Sequence, residues 1–291
     1  MKRVLYIIAA TILLVTGIGC SNKSKSDKGV SENNSETLLN DWKLSMQSYT
    51  FHLFTVPEAL SKTEELGLNY IEIYPGQKMG PEFDDATFWY DLTDEQCKAV
   101  KDMAASKNIK IVSSGVWTAG RDEWKEVFAF AKRMDLEFIS AEPAREDWDV
   151  VEKLAEEYGI KVAVHNHPNE NSYWKPSVLL DYIGNRSTLL GSCADVGHFK
   201  RMDIDPIGAL KELEGRIVSL HFKDIASTGE ENTYEDVVWG TGVLNVKSML
   251  QELKRQNFKG YFTIEYEVNW ENNIPEIKES IEYFKKVVKE I

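Results

Sequence analysis

The chain has 291 residues and a formal net charge of −13, from 47 acidic and 34 basic side chains. A protein this acidic repels the phosphate backbone of nucleic acids, so we expect no nucleic-acid partner. Apart from Cys20 it has only Cys97 and Cys193, which are too few for a disulfide framework and lack a zinc-binding spacing. We expect both to be buried thiols.

The first 20 residues have the pattern of an exported bacterial lipoprotein. A basic start precedes an uncharged apolar run, Val4 to Ile18, which is short for a membrane span and ends in small residues. The closing Gly-Ile-Gly-Cys resembles a lipobox, although Gly17 stands where that motif usually has Leu. We predict a signal peptide at 1–19 and lipidation at Cys20. The lipid would hold the exported protein to the membrane, facing the periplasm or the cell surface. An uncleaved anchor helix is the alternative.

The next segment, residues 20–41, is rich in Ser, Asn, Lys and Glu and has few apolar side chains. It cannot bury enough surface to fold, so we predict a flexible tether. The remaining residues, 42–291, have a length typical of a single α/β barrel domain.

From Trp42 onward, short apolar runs alternate with longer stretches of helical periodicity. The apolar runs predict strands at 44–51, 69–74, 109–115, 136–142, 160–166, 189–196, 216–222 and 260–267. The other stretches predict helices at 57–67, 93–108, 122–135, 149–159, 177–185, 205–215, 245–257 and 274–291. Eight such units predict an α/β fold, a single closed (β/α)8 TIM barrel. A doubly wound open sheet is the alternative, but no glycine-rich loop follows the first strand.

All five histidines fall at the carboxyl ends of predicted strands or just beyond them. These are His52 after strand one, His165 and His167 at the end of strand five, His198 after strand six and His221 at the end of strand seven. In (β/α)8 barrels this rim carries the active site, so we expect the histidines to converge there.

Carboxylates end neighbouring strands on the same rim. Glu142, Asp195 and Glu265 close strands four, six and eight, and they form one arc with His165 and His221. Imidazoles and carboxylates without a thiolate suit one divalent ion of Mn, Co, Mg or Zn.

Other residues near the rim are candidates for contact with a small carbohydrate substrate. They are His52, Glu72, His167, His198 and Trp239. Trp239 begins a WGTG motif after a polar run, which predicts a mobile flap with an aromatic tip. Lys223 alternates onto the face of His221, where it either positions an oxyanion or forms a salt bridge with Asp224.

The motifs ADVGH, LHFKD, WGTGVLN and FTIEYE resemble the xylose isomerase-like TIM barrel superfamily, which includes the sugar phosphate isomerase/epimerase family. The resemblance implies a divalent metal held by Asp195, His221 and Glu265. Many members have a ligand Glu on strand five, whereas this chain has His165 there and Glu142 one strand earlier. We therefore take Glu142 as the fourth ligand, with His165 as a possible ligand or a base.

Metal, carboxylates and imidazoles together can remove a proton α to a carbonyl. We expect a metal-dependent sugar isomerase or epimerase, with Glu142, His165, Lys223 and Glu265 as catalytic candidates. Because sugar phosphates are cytoplasmic, an exported enzyme would take an unphosphorylated sugar or keto-sugar. One alternative adds β-elimination, as in a 3-keto-glycoside lyase or an inosose-type dehydratase. Others are a glycoside hydrolase using Glu142 and Glu265 and a non-catalytic sugar-binding lipoprotein. The oligomeric state stays open.

Overall fold

The structure of the protein, a computed structural model, describes residue 38 and residues 41–230 and 233–291. The predicted signal peptide at 1–19, the predicted lipidation site Cys20 and most of the predicted tether at 20–41 lie outside the described residues. Within the described ranges, no helix combines the length and the apolar character needed to cross a membrane.

Eight parallel strands close into a barrel. Its first seven strands are β1 (Trp42–Gln47), β2 (Tyr70–Ile73), β3 (Lys110–Trp117), β4 (Phe138–Ala141), β5 (Lys161–His165), β6 (Leu190–Asp195) and β7 (Ile217–Phe222). A separate antiparallel hairpin follows, made of β8 (Asp224–Ser227) and β9 (Tyr234–Val237), and β10 (Gly260–Ile264) is the eighth barrel strand. Strand β10 closes the barrel against β1, so the predicted (β/α)8 architecture is confirmed.

The helices cover the outside of the barrel between successive strands. They are α1 (Val56–Glu65), α2 (Asp94–Ser106), α3 (Trp124–Arg133), α4 (Trp148–Tyr158), α5 (Pro176–Ile183), α6 (Val196–Arg201), α7 (Pro206–Glu212), α8 (Val246–Arg255) and α9 (Ile274–Glu290). Helix α2 begins at a capping box, in which Thr93 and Gln96 each bond the other's backbone N–H. The short helix α6, which the sequence pattern did not separate, begins directly at Asp195, whose Oδ1 accepts the N–H of His198 at 2.7 Å.

The hydrophobic core lies mainly between the strands and the helices. Trp42 on β1, Phe262 on β10 and Phe284 on α9 pack with ring centroids 5.2–6.2 Å apart. A second, small cluster that includes Cys193 fills the barrel beneath the carboxyl-terminal rim. Both Cys97 and Cys193 are free, buried thiols, as expected.

The WGTGVLN segment is anchored to the barrel by Asp224. The Asp224 carboxylate accepts the N–H groups of Gly240 and Gly242, both at 2.9 Å, and of Leu244 at 3.0 Å. Gly240 has a φ of 87°, and a Cβ at Gly242 would lie 2.3 Å from Asp224 Oδ1. The glycines of this motif therefore let the backbone wrap around a carboxylate.

Trp239 is a core residue and not the aromatic tip of a flap. Its side chain is 1% exposed and packs edge-on against Phe222, with ring centroids 4.9 Å apart, and against Phe284 at 6.0 Å. The prediction that Trp239 contacts the substrate is wrong, because the indole lies between strand β7 and helix α9.

Candidate active site

Four side chains at the carboxyl-terminal rim direct donor atoms into one space. They are His165 at the end of β5, Asp195 at the end of β6, His221 on β7 and Glu265 just after β10, and their donor atoms lie within 4.8 Å of one another. The sheet register places Asp195 directly beside His221. All four residues are buried, as expected for side chains that point into the barrel.

Three of these donor atoms are buried without a hydrogen-bond partner: His165 Nε2, Asp195 Oδ2 and His221 Nδ1. Buried polar atoms are nearly always satisfied by hydrogen bonds. These three instead meet charged groups outside hydrogen-bond geometry, with Asp195 Oδ2 3.0 Å from Lys223 Nζ and His221 Nδ1 3.2 Å from Glu265 Oε2, so they fit the ligands of a bound cation. Two imidazole nitrogens and two carboxylates suit a divalent transition metal such as zinc or manganese. The cluster could therefore hold a divalent metal ion.

Glu142 lies outside this set of four and contacts two histidines instead. Its Oε1 accepts a hydrogen bond from Nδ1 of His165 at 3.0 Å and another from Nδ1 of His167. Because Nδ1 of each ring faces the carboxylate, Nε2 of each ring is left for another partner. His165 thus belongs to the donor set, whereas Glu142 lies behind it and forms a second group with His165 and His167, whose donor atoms also lie within 4.8 Å of one another. The assignment of Glu142 as a ligand stays a prediction.

The pKa values of Glu142 and His165 follow from their contacts. Burial opposes the charge on Glu142, but the hydrogen bonds from His165 and His167 lower the pKa of the carboxyl to about 2. Burial likewise opposes an imidazolium at His165, but the carboxylates of Asp195 and Glu142 raise its pKa to about 10. A metal that binds His165 Nε2 must therefore displace a proton.

Glu72 lies beneath the donor set, and not at the rim in reach of substrate. The side chain is fully buried, and its Oε1 faces His221 Nε2 at 2.9 Å and accepts from Gln47 at 2.6 Å. Its other oxygen accepts from Ser140 at 2.8 Å. The prediction of substrate contact is wrong, and the carboxylate instead fixes His221 with Nδ1 towards the donor set.

Lys223 is fully buried and pairs with carboxylates other than Asp224. Its Nζ lies 2.8 Å from Glu265 Oε2, 3.2 Å from Glu267 Oε2, and 3.0 Å from Asp195 Oδ2, the last outside hydrogen-bond geometry. Burial opposes the ammonium, but Asp195 and Glu265 raise the pKa of Lys223 well above its usual value. Lys223 does not line the cavity above the donor set, and its predicted catalytic role stays a prediction.

A cavity of about 280 Å³ opens above the donor set. It is lined by Gln47, Tyr49, Tyr74, Pro75, Gly115, Val116, His165, His167, His198, Glu265 and Glu267. The lining includes three imidazoles, with the rings of His167 and His198 5.4 Å apart, and two carboxylates, Glu265 and Glu267. Burial lowers the pKa of His198 well below its usual range, so this ring is neutral.

His52 stands apart from the other four histidines. Its ring stacks on Tyr49 at 5.0 Å and meets Trp270 edge-on at 4.3 Å, at the mouth of the barrel. The predicted first strand, 44–51, in fact ends at Gln47, whose side chain accepts the N–H of Tyr49 and starts a 3-10 turn. This turn moves His52 outward from the donor set.

Sequence reasoning did not select seven residues of the cavity lining: Gln47, Tyr49, Tyr74, Pro75, Gly115, Val116 and Glu267. Gln47 ends strand β1 with a long polar side chain that is buried and donates to Glu72. Glu267 faces the same side as Glu265, and only the structure shows that both bond Lys223.

The sequence profile of the xylose isomerase-like TIM barrel family matches residues 60–287, and the chain belongs to this family. Over 194 residues it is 26% identical to the inosose dehydratase of Lactiplantibacillus plantarum, a match that covers 60% of this chain. The chain spans only 61% of the length of that relative.

Solved structures share the fold. An uncharacterised protein of Parabacteroides distasonis is 38% identical, with a TM-score of 0.70 over 84% of this chain and 99% of that protein. The IolI protein with a bound zinc atom has a TM-score of 0.68 at 19% identity, over 85% of this chain and 98% of that protein. The second likeness concerns the fold alone.

Proposed function

We propose that the protein is a metal-dependent lyase that removes the proton α to the carbonyl of an unphosphorylated keto-sugar and expels a β-oxygen substituent. One observation carries the proposal: the Glu142 carboxylate contacts Nδ1 of two histidines at once. His165 then offers Nε2 to the donor set, and His167 offers Nε2 to the cavity that it lines.

His167 is placed to act as the base. Its side chain is 49% exposed, so a substrate in the cavity can reach it. With Nδ1 held by Glu142, the neutral ring carries its lone pair on Nε2, and the carboxylate stabilises the imidazolium formed after proton transfer. A divalent ion in the donor set would supply polarisation of the substrate carbonyl.

The opposite wall favours elimination over epimerisation. Epimerisation needs a second base there, and the available carboxylates, Glu265 and Glu267, both bond the Lys223 ammonium. The Lys223 ammonium lies 2.8 Å from Glu265 Oε2 and stabilises the charged carboxylate, which makes Glu265 a weak base. Elimination needs only one imidazole. The C–H and β-C–O bonds break, a C=C bond forms, and His167 returns the proton to the departing oxygen.

The cavity also supports an unphosphorylated substrate. Within the described chain, its lining has no Lys or Arg side chain that could pair with a phosphate group. A space of about 280 Å³ lies at the small end of ligand sites and suits one sugar ring. Similarity to a protein named as a dehydratase agrees with elimination.

A sugar isomerase or epimerase is the second candidate. It is favoured by Glu265, whose carboxylate belongs to the donor set and also borders the cavity, across from the histidines. The same first step would then end with the proton returned to carbon.

The test is proton NMR in D2O on the zinc-loaded protein, with keto-inositols and 3-keto-glucosides as substrates. We expect loss of the α-hydrogen signal together with release of the β-substituent, and we expect His167→Ala to abolish both while zinc still binds. Asp102→Ala, at an exposed position on the outer helix α2, should retain activity. Exchange without release would favour the epimerase, and no exchange with any metal would contradict both candidates.

A further inference from the structure

A second cleft opens beside the catalytic cavity, next to strands β1 and β10. It has a volume of about 700 Å³, and its lining includes Leu53, Trp270 and the polar side chain of Asn272. Trp270 borders this cleft, Tyr49 borders the catalytic cavity, and the centroids of their rings are 6.0 Å apart. One layer of aromatic side chains therefore separates the two spaces.

The layer between the two spaces exposes apolar surface. Of the large apolar side chains in the described part of the chain, three are well exposed: Leu53 at 55%, Val243 at 54% and Tyr49 at 41%. Leu53 borders the cleft and Tyr49 borders the adjoining catalytic cavity, whereas Val243 borders a different cavity. Exposed apolar side chains grouped at a cavity are typical of a binding surface.

The aromatic layer is held in place by buried hydrogen bonds. Thr50 Oγ1 accepts the N–H of Tyr266 at 2.9 Å, and the Asn273 amide donates to the Thr50 carbonyl at 3.0 Å. These bonds join the turn after β1, which carries Tyr49, to the loop after β10, which carries Trp270. A surface aligned in advance binds a ligand with little cost in conformational entropy.

The chemistry of the cleft matches a sugar ring. A pyranose has an apolar C–H face, which stacks on an indole or phenol ring, and hydroxyl groups at its edge. Trp270 offers the ring face, and the exposed side chains of Glu271 and Asn272 offer hydrogen-bonding groups next to it. The catalytic cavity suits one ring, so a second ring of the same substrate must lie outside it.

We propose that this cleft is a second subsite, which binds the second sugar ring of a two-ring glycoside while the keto-bearing ring occupies the catalytic cavity. The inference rests on the proposed function for the placement of the first ring. Leu53, Tyr49 and Trp270 form the apolar platform, and they determine specificity without touching the reacting atoms.

Binding is tested on ¹⁵N-tryptophan-labelled protein by NMR, with maltose, cellobiose, sophorose and trehalose as two-ring probes and methyl glucoside as the one-ring probe. We expect at least one disaccharide to bind about tenfold tighter than methyl glucoside, as stacking of one ring allows, and to shift the Trp270 indole signal. The signal is assigned with Trp270→Phe, a variant that keeps an aromatic face.

Trp270→Ala and Leu53→Ala should each remove most of the disaccharide advantage. Val243→Ala deletes an equally exposed aliphatic side chain elsewhere and should keep it. Equal affinity for one-ring and two-ring probes, or an advantage that survives Trp270→Ala, overturns the subsite.

The binding readout needs no turnover, so it fails independently of the proposed function. A Trp270 shift without proton exchange in any keto-sugar would sustain the subsite and overturn the lyase. Proton exchange with a one-ring keto-sugar, together with no preference for disaccharides, would sustain the lyase and overturn the subsite.

Discussion

Buried carboxylates orient the imidazoles of the site. Glu142 contacts Nδ1 of His165, and Glu72 contacts Nε2 of His221, so each histidine of the donor set has its own carboxylate behind it. A buried charge is costly unless it is paired, and here each pairing also fixes which nitrogen faces the metal position. The donor histidines are thus backed by a further layer of carboxylates, which extends to Glu72 on strand β2.

We predict that Glu72→Gln weakens metal binding about 10–100-fold, because a neutral amide is a poorer acceptor for His221 Nε2–H. Zinc affinity is measured by competition with a chelator.

Ser140→Ala is the matched control, since it removes only the bond to the other Glu72 oxygen. Metal affinity should then change little. An unaltered zinc affinity in Glu72→Gln would show that His221 needs no partner to hold its orientation.

Among the structural elements, the segment between β7 and helix α8 depends most on one side chain, that of Asp224. The two oxygens of Asp224 accept four backbone N–H groups, from Ile225, Gly240, Gly242 and Leu244. A loop without regular secondary structure has few ways to satisfy its backbone, and a buried carboxylate meets that need. The same loop places Trp239 in the core.

We therefore expect Asp224→Ala to lower the free energy of unfolding by about 2–4 kcal/mol, since buried N–H groups lose their acceptor. Urea denaturation measures the change, and limited proteolysis should find new cleavage at residues 238–244. Asp102→Ala, at an exposed position on α2, should leave both readouts near wild type. Loss of stability without new cleavage would show that the loop is held by Trp239 packing.

The positions of the strands were predictable from the sequence, whereas the packing of the segment between β7 and helix α8 was not. The reason is physical. Alternation along a strand tells which residues face inward, and eight alternating units leave few topologies besides the barrel. No such periodicity exists for Trp239, whose burial depends on contacts with Phe222 and Phe284, far away in sequence.

For the molecule as a whole, the place of each site residue around the rim of the barrel was predictable from the sequence. The depth of each side chain along the barrel axis was not. The convergence of His165, Asp195 and His221 follows from their places at strand ends. Glu72 and Lys223 also face inward, but both lie below the cavity and contact no open space. Depth depends on the shear of the barrel, which no single strand encodes.

Export and lipidation would determine where the whole protein resides. We predict that Cys20→Ser abolishes incorporation of labelled palmitate and moves the protein from the membrane fraction to the soluble fraction, because the anchor would be the lipid itself. Cys97→Ser, at a buried thiol, should change neither readout. A Cys20→Ser variant that stays in the membrane fraction would favour an uncleaved anchor helix.

Asp195 divides its oxygens between two tasks: Oδ1 accepts the first-turn N–H of His198, and Oδ2 faces the donor set. Helix α6 has only six residues, too few to be stable alone. Unwinding of α6 would free the carboxylate to rotate, and rotation would take a ligand from the ion. In a metal-loaded protein, local opening of this turn would therefore weaken the hold on the ion and speed its escape.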